Sequence, residues 1–201
     1  MRVAQEHSPT KEKLLDAAQR LMLAKGFAAT SVEEICDKAG LTKGSLFHYF
    51  DSKEELGKAT LERFCQTMQG HMREASFHKE PDPRKRLYAY LDFMIATSKD
   101  PSMPNSCLLG NFSQELSETH PAIRSCCAEQ FHTWSKALKQ DLDAARAKYL
   151  RRSSLDTGSL AEHVIAVMEG SLILAKAKQD RRVIERSLRH LKRYLESLFG
   201  K

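Results

Sequence analysis

At 201 residues, 41% hydrophobic and 29% charged, the chain has the makeup of an ordinary soluble globular protein with room for one or two cores. No run approaches the roughly 18 uninterrupted apolar residues of a membrane span, and the opening MRVAQEHSPTKEK has no apolar segment of the kind a secretory leader needs, so a cytoplasmic protein is expected. The net charge of +6 does not by itself argue for nucleic-acid binding, because residues 1–60 carry nine basic and nine acidic side chains while residues 146–201 carry thirteen against six.

Ser8 and Pro9 form the favoured cap-then-proline start of a first helix, which closes at Lys25-Gly26. Thr30 or Ser31 caps the next, and Ser31 with Glu34 has capping-box spacing, in which each side chain bonds the other's free backbone N–H. Gly40 suits the left-handed residue that ends a helix. Thr42 then caps a helix over Lys43–Phe50, and Ser52 with Glu55 repeats the capping-box spacing. Phe27, Val32, Ile35, Leu41, Leu46 and Phe50 are expected to fill a small three-helix core. Two helices joined by a short Gly-containing turn make the helix-turn-helix pattern, whose second helix enters the DNA major groove. At 100° per residue Leu46, Tyr49 and Phe50 share one side of that helix, and Gly44, Ser45 and His48 share the other. Other small helical proteins have capped helices and Gly turns, so the pattern alone is a moderate signal.

From Ser52 a long helix is predicted to about Phe77, followed by a break at Glu80-Pro81-Asp82-Pro83 with Asp82 as cap. Further helices are predicted to about Lys99, through Leu108–Leu116, from His120-Pro121 to about Leu150, over Ser159–Lys178, and over Arg181–Phe199. No strand-like alternation persists. The expected fold is all-α with about nine helices: residues 1–52 as a reading head and 53–201 as a helical body.

The last two helices carry apolar stripes: Leu160, Val164, Val167 and Ser171 on one, Ile184, Leu188, Leu191 and Leu195 on the other. Each stripe suits either the core or a dimer interface. The five cysteines, Cys36, Cys65, Cys107, Cys126 and Cys127, are odd in number and expected to be free thiols in a reducing compartment. There is no nucleophile elbow, phosphate loop or paired C-x-x-C, so no enzyme, cofactor or metal is expected. Adjacent Cys126 and Cys127 would point about 100° apart on a helix and are expected as small buried side chains. Cys107 sits near a helix start, where the dipole favours thiolate; it is read either as a sensor thiol or as a small buried side chain.

Lys25-Gly26-Phe27, Thr30, Ile35, Ala39-Gly40 and LTKGSLFHYFDSKEEL together resemble the DNA-binding domain of the TetR family of transcriptional regulators, over about residues 10–57. The remainder resembles that family's regulatory body in length and helix count. The resemblance implies a homodimeric, ligand-responsive repressor that releases operator DNA when an effector acts on its body. It implies DNA contacts from Thr30, Ser31, Thr42, Lys43, Gly44, Ser45, Phe47, His48, Tyr49 and Lys53, and a dimer built on the final helix pair. Phe47 stands where the family usually has Tyr; it is expected to touch a thymine methyl or to pack internally. The effector pocket is expected among Phe64, Met68, Phe93, Cys107, Leu108, Phe112, Phe131, Trp134 and Met168. The stretch CLLGNFSQEL also resembles a TetR subgroup that includes a repressor sensing reactive electrophiles through a cysteine at a similar place. A DNA-binding activator or nucleoid-type binder without an effector is the second reading, though a body of this size argues for a ligand.

Overall fold

The computed structural model describes residues 8–100 and 106–200. Among the described residues there are nine α-helices and no strand: α1 (Pro9–Lys25), α2 (Val32–Ala39), α3 (Lys43–Tyr49), α4 (Lys53–Glu74), α5 (Pro83–Lys99), α6 (Leu108–Leu116), α7 (Pro121–Tyr149), α8 (Thr157–Lys178) and α9 (Arg182–Phe199). The all-α expectation is met.

Local chemistry sets most of the ends. Asp82 accepts hydrogen bonds from the N–H groups of Arg84 (3.0 Å) and Lys85 (3.1 Å), with Pro83 at the first helical position. Asp156 does the same for Gly158 and Ser159 at the start of α8. The long helix stops earlier than its sequence suggests. Ala75 is extended, and a 3-10 turn over Ser76–Lys79 turns Phe77 into the core, edge-on to Tyr90 at 5.4 Å between ring centres. Burying that ring offsets the helical hydrogen bonds given up at the break.

The helices form two compact units. The first holds α1–α3, α4 as far as Gln69, α6 and the start of α7. Its core is Leu14, Ala18 and Met22 of α1, Ile35 of α2, Leu46 of α3, Leu56 and Leu61 of α4, Phe112 of α6 and Ile123 of α7, all fully buried. Of the six residues expected there from the sequence, Phe27, Ile35, Leu46 and Phe50 are buried, while Val32 and Leu41 are half-buried. Phe27 leaves the α1–α2 turn to lie edge-on to Phe112 (5.7 Å) and His120 (5.4 Å). Gly57 makes this possible, since a Cβ there would stand 2.7 Å from the Phe27 Cε2 atom.

The second unit holds α5, the rest of α7, α8 and α9. α9 packs against both α5 and α8. Its core joins Leu87, Leu91, Leu142, Val164, Met168, Leu188 and Leu195, among others. Of the two uses expected for the stripes, the core is the one visible within a single chain. Leu160, Val164, Ser171, Ile184, Leu188, Leu191 and Leu195 are already buried within one chain. An amphipathic helix spends its apolar face on its nearest neighbours, and here α5 and α8 take that of α9. Only Val167 of the eight remains partly exposed.

Candidate nucleic-acid interface

The turn between α2 and α3 is built as its sequence predicts. Glu34 N–H donates to Ser31 Oγ (3.2 Å), and Ser31 N–H donates to Glu34 Oε2 (2.9 Å), closing the capping box. Gly40 takes φ 65°, ψ 38°, and Leu41 N–H reaches back to the Cys36 carbonyl at 2.9 Å. Thr42 Oγ1 accepts from Ser45 N–H at 3.1 Å and starts α3. Glu55 departs from the simple box, since its carboxylate accepts from Asp51 N–H while Ser52 Oγ caps the Glu55 N–H.

α3 buries Leu46 and leaves Thr42, Lys43, Gly44, Phe47 and His48 exposed. Phe47 is 49% exposed, so of its two expected roles internal packing is removed. A Cβ on Gly44 would meet only Thr42 Oγ1, at 3.7 Å, so the backbone there is open to close approach. Ser45 is half-buried and shares a 3.0 Å hydrogen bond with the Thr42 hydroxyl.

Three residues expected at DNA have structural work instead of, or beside, that role. Thr30 is fully buried, and its hydroxyl donates to the Gly26 carbonyl at 2.7 Å, so its side chain is closed to phosphate. The α2 N-terminus beside it is marked by Ser31, which stays partly exposed. The Tyr49 hydroxyl shares a 2.8 Å hydrogen bond with Ser8 Oγ, tying α3 to the start of α1. Ser8 therefore stands at the cap position of α1 without a side-chain cap bond. The Lys53 ammonium sits 4.4 Å from the centre of the Phe27 ring and 3.5 Å from the Ala28 carbonyl. Partial burial pushes its pKa down.

The neutral balance of this region is arranged locally. Glu33 and Glu34, in the first turn of α2, pair with Lys43 and Lys25. The Lys25 hydrogen bond, with help from Ser31, holds Glu34 down to about 2, and Lys43 holds Glu33 below the usual carboxylate range. A further contact had no sequence signal. Glu115 of α6 accepts hydrogen bonds from the N–H groups of Phe27 (2.8 Å) and Ala28 (2.7 Å), 88 and 87 residues away.

The residues expected to line an effector pocket fall into both units. Phe64, Leu108 and Phe112 are core residues of the first, where Met68 is half-buried. Phe93, Cys107, Phe131, Trp134 and Met168 belong to the second. There Trp134 Nε1–H donates to Tyr90 Oη (3.3 Å), and Tyr90 O–H donates to the Met168 sulfur (3.4 Å). Phe131 stacks on Trp134 at 6.4 Å, and Phe93 lies 5.7 Å from Phe77. Full burial pushes the Tyr90 hydroxyl up to about 12, so it stays neutral. Tyr90 is the polar centre that apolar patterning alone did not single out. Cys107 immediately precedes α6 and hydrogen-bonds the Glu169 side chain. Burial raises Glu169's pKa and leaves its Oε1 without a hydrogen-bond partner. Cys36, Cys65, Cys126 and Cys127 are buried, and burial pushes Cys126 up to about 11. Among the described residues, no cluster of three His, Cys, Asp or Glu suits a metal ion.

Residues 14–60 match the family model described as bacterial regulatory proteins, tetR family, and residues 83–191 match the tetracyclin repressor-like C-terminal domain. An uncharacterised HTH-type transcriptional regulator from Lactococcus lactis subsp. lactis is 29% identical over 94% of both chains. The HTH-type transcriptional repressor NemR of Escherichia coli is 27% identical over 93% of this chain and 94% of its own. The crystal structure of the reduced form of that repressor superposes with a TM-score of 0.76 and 27% identity, covering 92% of this chain and 97% of the other. A TetR regulator from Chloroflexus aurantiacus superposes at 0.79 with 25% identity, over 97% and 96% of the two chains.

Proposed function

Because the chain belongs to the TetR family and is a helix-turn-helix transcriptional repressor, we propose that it binds operator DNA as a homodimer and leaves it when an effector acts on the second compact unit. The observation that carries this is α3: a capped helix with an open Gly44 backbone, flanked by exposed Lys43, Phe47 and His48. Ser31 and Thr42 stand at helix N-termini, where free N–H groups favour phosphate. Ser45 borders the groove-facing side, Tyr49 ties α3 to the start of α1 and offers its hydroxyl at the edge, and Lys53, over the Phe27 ring, offers a cation. Among the described residues, the exposed large apolar side chains are Phe47 on α3, Ile173 and Leu174 on α8, and Tyr194 on α9.

The dimer seam in this reading is the outer face of α8 and α9, rather than their buried stripes. His163, Val167, Gly170 and Leu174 recur at helical spacing along α8, and a Cβ on Gly170 would meet nothing within 4 Å. Tyr194 packs edge-on to His163 at 5.8 Å and borders the same strip. The strip is apolar from Val167 to Leu174 with the His163 imidazole at one end, offers a close approach at Gly170, and is uncovered in one chain.

The effector enters among Tyr90, Phe93, Phe131, Trp134 and Met168, or reacts at Cys107. Cys107 is the partly exposed thiol among the described cysteines and stands at the start of α6. Electrophoretic mobility shift against the DNA upstream of the protein's own gene, with a salt titration, tests the reading. Sequence-selective binding at moderate salt is expected, together with a dimer by light scattering that Leu174→Glu dissociates. Absence of selective binding would sink it. Retained release from that DNA in Cys107→Ser after electrophile treatment would remove the thiol from the effector route.

A further inference from the structure

Phe47 is 49% exposed at the middle of α3, next in sequence to the fully buried Leu46 and turned about 100° from it toward solvent. A single exposed hydrophobe is normal on any surface, so its location has to carry the argument. At 100° per residue, Phe47, Gly44 and His48 share the outward side of α3, with Gly44 between the two rings. Residues 42–49 contain no Arg, Asn or Gln, which leaves Lys43 as the one side chain there able to bond two base-edge atoms at once. The polar groups present are partly engaged. Lys43 is paired with Glu33, the Ser45 and Thr42 hydroxyls bond each other, and the His48 ring packs edge-on to Tyr49 at 4.8 Å. A phenyl ring offers no hydroxyl to phosphate or to a base acceptor. The apolar group that a major groove presents is the thymine 5-methyl.

We infer that Phe47 is a sequence-determining residue that reads a thymine methyl in each half of the operator. This rests on the DNA-binding reading above and assigns one base position within it. Covering the phenyl ring with the methyl removes apolar surface of both from water, which favours T·A over the other pairs wherever the ring lands. Gly44 lets the α3 backbone come close enough for that contact.

The test uses the full-length protein and a randomised duplex pool from which binding sequences are enriched. Each thymine of an enriched duplex is then replaced singly by deoxyuridine, which removes the methyl and leaves the pairing intact. One thymine per half-site is expected to weaken wild-type binding by about fourfold on replacement, equivalent to ~0.8 kcal/mol for a methyl-sized contact. Phe47→Ala is expected to bind more weakly and to be indifferent to that replacement, while Phe47→Leu keeps part of the sensitivity. Thermal unfolding of both variants should match wild type, because the side chain packs in no core. A uniform response to every replacement, or a Phe47→Ala protein with the wild-type methyl sensitivity, would overturn the inference. Enrichment of no sequence at all would overturn the DNA-binding reading with it, so the two failures are distinguishable.

Discussion

The bond between Glu115 and the α1–α2 turn is open to a direct test. Removing the carboxylate with Glu115→Ala deletes two hydrogen bonds to backbone N–H groups, at 2.8 and 2.7 Å. A hydrogen bond to a charged group contributes a net ~1.5–3 kcal/mol. The full sum does not apply here. Ala28 is exposed, so its N–H regains water, and Glu115 itself lies on the surface, where solvent weakens the charge. The loss should be about 2 kcal/mol, carried mainly by the partly buried Phe27 N–H. For a chain of this length that lowers Tm by about 4–8 °C. Native-state hydrogen exchange gives the sharper readout, because the amides of Phe27 and Ala28 should exchange about 30-fold faster. Glu115→Gln keeps one acceptor oxygen and should fall between the two. A Glu115→Ala protein with wild-type Tm and unchanged exchange at both amides would refute the reasoning.

Gly57→Ala places a Cβ 2.7 Å from Phe27 Cε2, and that ring is held by Phe112 and His120; urea unfolding should show a loss of about 1–3 kcal/mol, much of it relieved in a Gly57→Ala, Phe27→Leu double variant. Glu33→Gln frees Lys43 from its ion pair, so DNA binding should tighten at low salt and the slope of log K against log salt should steepen by about 0.9, one phosphate's worth; an unchanged slope would show that the pair does not compete with DNA. Glu169 has a folded-state pKa raised by burial, so the folded chain holds its proton more tightly than the unfolded chain does. Its ionisation therefore removes stability as pH rises from the ordinary carboxylate range through the raised value. Glu169→Gln should melt higher than wild type at about pH 8 and show no such advantage at about pH 4; equal differences at both would refute the assignment.

What was legible in the sequence was local. The Ser31–Glu34 box, the left-handed Gly40 and the Thr42 cap each involve residues within a few positions of one another, and all three appear as read. Ser8 shows the limit even there, because its hydroxyl found Tyr49, 41 residues away, and left the cap unmade. Thr30 looked like a helix-start residue facing phosphate, and a backbone carbonyl four residues earlier took its hydroxyl. The stripes of α8 and α9 announced burial without saying against what. Both a core and a partner satisfy the same periodicity, and the packing of α9 between α5 and α8 decided it. Glu115 left no trace at all, since nothing in an exposed acid of an amphipathic helix points 88 residues back.

The pairing of Lys43 and Lys25 with the acids of α2 bears on how such a chain selects DNA. With those charges partly neutralised, one copy of α3 brings little electrostatic attraction, and single-head binding belongs near the general range for non-specific contact, at best about 10⁻⁶ M. A second head on the same duplex, at an effective concentration of about 10⁻³ M, takes the pair to about 10⁻⁹ M. In the dimeric reading the thousandfold gain comes from the strip of His163, Val167, Gly170 and Leu174, whereas a thymine methyl under Phe47 contributes about fourfold. The two are not alternatives. In that reading the seam sets how tightly the protein holds any correctly spaced pair of sites, and the outward face of α3 sets which pairs are correct. Because the seam's gain needs both heads to fit together, a mismatch in one half-site costs its own contact and also weakens the coupling. A modest base contact is thereby amplified into usable selectivity.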